Sequence, residues 1–320
     1  MVRFLSLFSV AVLAANAQTD WKQVCKSALA EPLTPPALPA ALDQCDSAAL
    51  YYGFNKPADP AAALQCAWYQ RAHPKPTVGD PFSGPGVLSM LYANGAGVAR
   101  DYHLAIRFTC ENTWAADAEK EGRIAHLEKQ PAKFDLCDDA TSGLMEGACE
   151  AIHQRFATAK RRPDVDAITA KWSAAVKEKF KVLEAAQDAF IAARTANEVD
   201  LSGTGRAAFS LAEEGLLRDQ FLIDLRRFGK GSMRPASAAD FRKADQDLND
   251  AYSQIRQAPA AAWQGTVKPE GIRETEAAWL KLRDAWVDFA RAAWPRLSAD
   301  TVRTQITRLR VHQLQSLRPR

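Results

Sequence analysis

The histidines, the paired carboxylates and the cysteines are the side chains of this 320-residue sequence with most chemistry to offer. His73, His103, His126, His153 and His312 never recur at helical ligand spacing, and no H-E-x-x-H run occurs. They read as surface or packing histidines. Asp138-Asp139, Glu213-Glu214 and Asp245/Asp247 have the residue types of glycoside hydrolysis, which needs two carboxyl groups roughly 5–10 Å apart across a cleft. On amphipathic helices such acids fall on solvated faces, so a cell-wall hydrolase stays an outsider. No G-x-S-x-G elbow is present. Gly229-Lys230-Gly231-Ser232 lacks the upstream glycine and the Lys-Ser/Thr order of a phosphate loop, and reads as a linker. The sequence therefore predicts no enzyme: no catalytic residue, no cofactor and no metal site.

Cys25, Cys45, Cys66, Cys110, Cys137 and Cys149 make an even set without a C-x-x-C. This disfavours zinc and thioredoxin-like chemistry and suggests structural disulfides, with 15 possible connectivities. All six precede residue 150, so the N-terminal half is stapled and the C-terminal half must hold by packing. The chain opens with Arg3, an apolar run from Phe4 to Ala14 and the small-x-small triplet Ala15-Asn16-Ala17. That is the pattern of a secretory leader at residues 1–17, with cleavage after Ala17. The run is too short to span a bilayer, and the expected product is a soluble periplasmic protein. Removing Arg3 takes the formal charge from +3 to +2. Such a balance does not suggest nucleic-acid binding. An apolar content of 47% suffices for real cores.

The elements that must carry these residues read as helices throughout. Residues 18–40, with Pro32, Pro35, Pro36 and Pro39, predict an extended strap. Short helices broken by Gly and Pro follow at 43–53, 59–72, 85–94, 101–114 and 115–129. From 138 the pattern lengthens. Helices are expected at 138–158, 164–197, 206–228, 237–257, 269–293 and 298–317. Between 164 and 197, Ile168, Trp172, Val176, Phe180, Leu183, Phe190 and Ile191 form one apolar stripe. The expected breakers are Arg162-Pro163, Ser202–Gly205, Gly229–Gly231 and Lys268-Pro269.

Two segments resemble known families. Leu91-Tyr92-Ala-Asn94-Gly95-Ala-Gly97-Val98-Ala-Arg-Asp101-Tyr102-His-Leu-Ala105 is similar to a Sel-one-like repeat, a relative of the tetratricopeptide repeat. A first helix would end at Asn94-Gly95, where glycine accepts positive φ, and Asp101 would cap the second. A degenerate copy precedes it, with Asp59 and Ala63 standing 42 residues before Asp101 and Ala105. Such repeats usually present a protein-binding face.

Ala244-Asp245-Gln-Asp-Leu248-Asn249-Asp-Ala-Tyr252, followed by Glu276-Ala-Ala-Trp279-Leu280-Lys-Leu-Arg283-Asp284, resembles the LprI family of lysozyme inhibitors. Glu276 stands where glutamine is usual, and no cysteine follows Arg283-Asp284. Phe134 to Cys149 is similar to that family's opening, whose two cysteines pair, implying Cys137–Cys149. An offset of 89 residues then aligns Leu183, Phe190, Ile191 and Arg194 with Ile272, Trp279, Leu280 and Arg283. The same offset aligns Leu222, Leu225 and Phe228 with Val311, Leu314 and Leu317, which suggests an internal duplication. Cys45–Cys66 would pin two antiparallel helices, and elimination leaves Cys25–Cys110 to tie down the strap.

Asp245, Asn249, Tyr252, Trp279, Arg283 and Asp284 have two readings. They form a recognition surface, or Trp279 is buried with Arg283 bridging to Asp245 or another acid. The second is favoured because Trp279 shares a stripe with Ile272, Trp286 and Val287. Arg296, Arg303, Arg308, Arg310, Arg318 and Arg320 either meet an anionic polymer or acidic partner, or complement a helix dipole. The expected architecture is all-α. After the leader (1–17) and strap (18–40) come disulfide-stapled α-hairpin repeats (41–132). Two long-helix LprI-like units follow, at 133–231 and 232–320. The resemblance implies a periplasmic inhibitor that occludes a lysozyme-type muramidase or another protein partner. The alternative is an envelope scaffold or adaptor that binds its partner through the repeats. Oligomeric state is not legible.

Overall fold

The structure is a computed structural model describing residues 20–39, 42–74, 79–259, 262–263 and 265–317. The expected leader and its cleavage site lie outside the described residues, as do Arg318 and Arg320. Among those described, the chain is all-helical. Its helices are α1 Trp21–Ala30, α2 Ser47–Tyr52, α3 Pro60–Ala72, α4 Pro85–Asn94, α5 Tyr102–Glu111 and α6 Asp117–Glu128. After a 3-10 turn at Leu136–Asp139 come α7 Gly143–Thr169, α8 Ala174–Asn197, α9 Arg206–Gly229, α10 Ala238–Gln257, α11 Pro269–Ala293 and α12 Ala299–Ser316.

Local chemistry sets most of these boundaries. Asp46, Asp59, Asp101, Ser142, Ser173, Ser237 and Ser298 cap their helices by accepting from a backbone N–H three residues on. Gly53 and Gly95 end α2 and α4 in the left-handed conformation, at φ 71° and 63°. The two short hairpins α2–α3 and α4–α5 match in detail. Asp59 N–H donates to Leu50 O at 2.8 Å, and Asp101 N–H to Tyr92 O at 3.0 Å.

The structure departs from the sequence reading in two places. Residues 21–30 form a helix where an extended strap was expected; only 32–39 lack regular structure. Asp20 caps this helix, and Val24, Cys25 and Ala28 turn one face onto the core. The prolines that suggested extension all lie beyond it. Arg162-Pro163, expected to break the chain, sits inside α7. A proline there forfeits one backbone hydrogen bond, and ion pairs clamp α7 to α9 on both sides of it. Arg161 meets Asp219 at 2.8 Å, and Asp164 meets Arg226. The break falls instead at 170–173, where Ser173 caps α8 and Trp172 packs on Phe180, Phe289 and Trp294.

Two cores result. In the first, α2 to α6 pack in succession and α1 folds back onto α5 and α6. The core is built on Trp68, Leu88, Met90, Leu91, Phe108 and Phe134. Disulfides join Cys25 to Cys110, Cys45 to Cys66 and Cys137 to Cys149. In the second, α8 lies along α11 and α10 along α12, around Phe180, Phe190, Trp279, Trp286 and Phe289. Helix α7 serves both: Met145, Cys149 and Ile152 belong to the first core, and Val165 packs on the second.

Candidate functional site

On α10, Ser237 and Asp240 cap the first turn reciprocally. Asp245 and Asn249 then fall one turn apart on a single face. The amide of Asn249 donates to Asp245 Oδ2 at 3.5 Å. From α11, Arg283 reaches across to Asp245 at 3.6 Å and lies 3.4 Å from Asp284. Its guanidinium covers the rings of Trp279 and Phe241, at 5.2 and 6.0 Å from their centroids. Trp279 itself is 2% exposed and belongs to the core. Tyr252 is half-buried on the next turn of α10. Its phenol is pushed upward by desolvation and by the charge of Glu276. The structure thus brings Asp245, Asn249, Arg283 and Asp284 together over a buried Trp279. Asp245, Asn249 and Asp284 face solvent, and Leu280, 43% exposed, stands one turn before Asp284.

Behind this face lies a chain of buried charges that sequence reasoning missed. Arg310 of α12 has no exposed side-chain surface and donates from both terminal nitrogens to Glu198, at 2.8 and 2.5 Å. Its Nε donates to Glu276 of α11. Arg194 donates to Glu198 and to Glu213 of α9, both at 2.6 Å. Four helices are thereby tied through one line of alternating charge. Burial pushes the Glu276 carboxyl up, against the opposing pull of Arg310. For Arg310 burial favours the neutral form, but Glu198 and Glu276 outweigh it and hold the guanidinium charged. Neither reading of the basic C-terminal run fits Arg310, since its charge is consumed inside the bundle. A signal was present: Arg194 and Arg310 sit on the apolar stripes of their helices, beside Ile191 and between Ile306 and Leu314. At Glu276 a carboxylate gives Arg310 a charge-assisted bond, stronger than the one a neutral amide would accept.

A small cavity of about 40 Å³ lies between α8, α9, α11 and α12, lined among others by Phe190, Trp279, Trp286, Asp224 and Arg310. Asp224 Oδ2 accepts from Gln220 at 3.0 Å, while Oδ1 is buried with no hydrogen-bond partner among the described residues. Burial pushes this carboxyl up to about 6, against the pull of Gln220 and Arg227.

Among the described residues, no group of three or more His, Cys, Asp or Glu is placed to hold a metal ion. His103, His126 and His153 each lie beside one carboxylate, and His73 Nδ1 lies 3.0 Å from Tyr69 O. No described helix is long and apolar enough to cross a membrane. Fold and site together define a disulfide-stapled, all-helical protein whose C-terminal bundle presents Asp245, Asn249, Arg283 and Asp284 in front of a buried chain of charges. Residues 227–314 match the family model described as Lysozyme inhibitor LprI. The match runs from the end of α9 through nearly all of α12 and contains every residue of the Asp245–Asp284 group. No curated protein and no solved structure matches the chain.

Proposed function

We propose that this chain is an exported periplasmic protein that inhibits a lysozyme-type muramidase by steric occlusion, using the preformed surface of α10 and α11. The match of residues 227–314 to the lysozyme-inhibitor family carries this reading. The face is suited to it. Arg283, lying over the buried Trp279, holds Asp245 and Asp284, and the exposed Leu280 stands one turn before Asp284. Two carboxylates around one guanidinium leave a net negative edge, which complements a basic partner. Binding requires no chemistry and no cofactor. Three disulfides and the leader-like residues 1–17 support export to an oxidising compartment. The matched caps at Asp59 and Asp101 support Sel-one-like hairpins in the N-terminal region.

The test is a titration of the oxidised chain from Gln18 to Arg320 against lysozymes of several types. Cell-wall turbidity and calorimetry would be read together. Stoichiometric inhibition at about micromolar affinity or tighter is expected. Leu280→Asp combined with Asp284→Lys should weaken it roughly tenfold or more while the melting temperature holds. If every lysozyme type escapes inhibition, the reading falls, and copurification with another envelope protein would then favour the adaptor role.

A further inference from the structure

A second site opens far from the α10–α11 face. The ends of α3 and α5, the start of α2 and the flank of α7 enclose a cleft of about 1020 Å³. This is at the top of the roughly 300–1,000 Å³ range of small-ligand sites. Its walls are built rigidly. Arg71 forks onto Glu111 while lying 5.3 Å over the Trp68 ring. Across the cleft, Arg155 of α7 lies 4.0 Å over the Phe54 ring and bonds Asp46 at 3.0 Å. Both guanidinium groups are therefore engaged by the protein's own acids.

Trp114 and Asp80 are among the described groups that face the cleft. Trp114 is 43% exposed although its ring rests on the backbone of Gly79, where a Cβ would fall 1.8 Å from a ring carbon. Asn112 fixes the turn beneath it, accepting from Trp114 N–H at 3.2 Å and donating to Pro81 O at 3.2 Å. Beside it, Asp80 accepts from Phe82 N–H through Oδ1 at 2.9 Å. Its carboxyl is pushed upward by burial and by the charge of Asp46, against the Phe82 bond and Arg155. A hydrogen-bond donor from a ligand would relieve it.

The lining selects among ligand classes. Among the described lining residues, Asp46, Asp80 and Glu111 outnumber Arg71 and Arg155, and both of these arginines already bond an acid, which disfavours an anion. The described residues form no strand whose edge an extended peptide could join. A polyhydroxylated ring fits: its apolar face stacks on an indole and its hydroxyls donate to a carboxylate. We propose that this cleft binds a neutral oligosaccharide, with one sugar ring seated on Trp114 and its hydroxyls donating to Asp80.

The proposal stands apart from lysozyme inhibition and has its own readout. The full disulfide-bonded chain is titrated by calorimetry with the pentasaccharides of chitin, cellulose and maltose. At least one should bind. Trp114→Ala should weaken that binding about tenfold, and Asp80→Asn should weaken it too. Both variants should keep the parent melting temperature and any lysozyme inhibition. Failure of all three sugars to bind at up to about 10 mM overturns the proposal. So does binding that both variants leave intact, or a cleft that captures a peptide and no sugar.

Discussion

Arg310 and Glu198 are wholly buried charges, and their worth lies in what happens when one is removed. A buried ion pair offsets its own desolvation only while its geometry is complete. Arg310→Leu takes from Glu276 its Arg310 partner and leaves Glu198 with Arg194 alone inside the bundle, and we expect a loss of about 3–5 kcal/mol in urea unfolding. Adding Glu198→Leu should restore part of that loss, and a double-mutant cycle would read the coupling. Asp224 makes the opposite case, a buried carboxyl with too few partners. Its folded pKa of about 6 lies above the reference value of 3.8. Between those values the folded chain keeps a proton that the unfolded chain has released. Stability therefore falls as pH rises through this window, and above it a cost of about 3 kcal/mol remains. Asp224→Asn should gain on the parent between pH 4 and 7, measured as the difference in unfolding free energy at the two ends.

Among the helices, α7 carries the least expected feature, an exposed proline near the start of its last quarter. Pro163 costs the helix one hydrogen bond without breaking it. Pro163→Ala should raise stability by about 1–3 kcal/mol in the same urea assay. The other boundaries show what a sequence can reveal at this scale. Asp59-Pro60, Gly84-Pro85 and Lys268-Pro269 mark helix starts because the signal acts within one turn: a proline at the first helical position, joined at Asp59 by a side-chain cap. Gly95 marks an end for the same reason. Pro163 misleads because its outcome is decided by Arg161–Asp219 and Asp164–Arg226, contacts with a helix more than 40 residues downstream. The motif of α10 and α11 was legible as a group, since its members lie one or two turns apart on two helices. The charges behind it were not. Glu198 and Arg310 are 112 residues apart, and the apolar stripes that carry Arg194 and Arg310 hint at burial without naming the partner.

At the scale of the whole molecule the staples and the packing are divided. The described disulfides join residues of the first core, whereas α8 to α12 carry no cysteine. Each bridge stabilises by about 2–4 kcal/mol, so reductant should act on one half. Hydrogen exchange in α2–α6 should accelerate on reduction while α8, α11 and α12 keep their protection. Uniform loss throughout would show the two cores to unfold as one. The 89-residue offset recurs in this frame. Leu183, Phe190 and Leu225 are as buried as Ile272, Trp279 and Leu314, while buried Ile191 corresponds to exposed Leu280. The helix pairs α7–α9 and α10–α12 flank α8 packed on α11. The two aligned segments thus pack alike, with one aligned position buried in α8 and exposed in α11.

Because α7 is a wall of both halves, cutting the chain at its start would damage both. A gene fragment ending before Gly143 would encode the oligosaccharide cleft without Ala148, Ala151, Ile152 and Arg155. One beginning there would expose Met145, Cys149 and Ile152, with Cys149 parted from Cys137. Recombination that shuffles domains at loops would be disfavoured across this stretch.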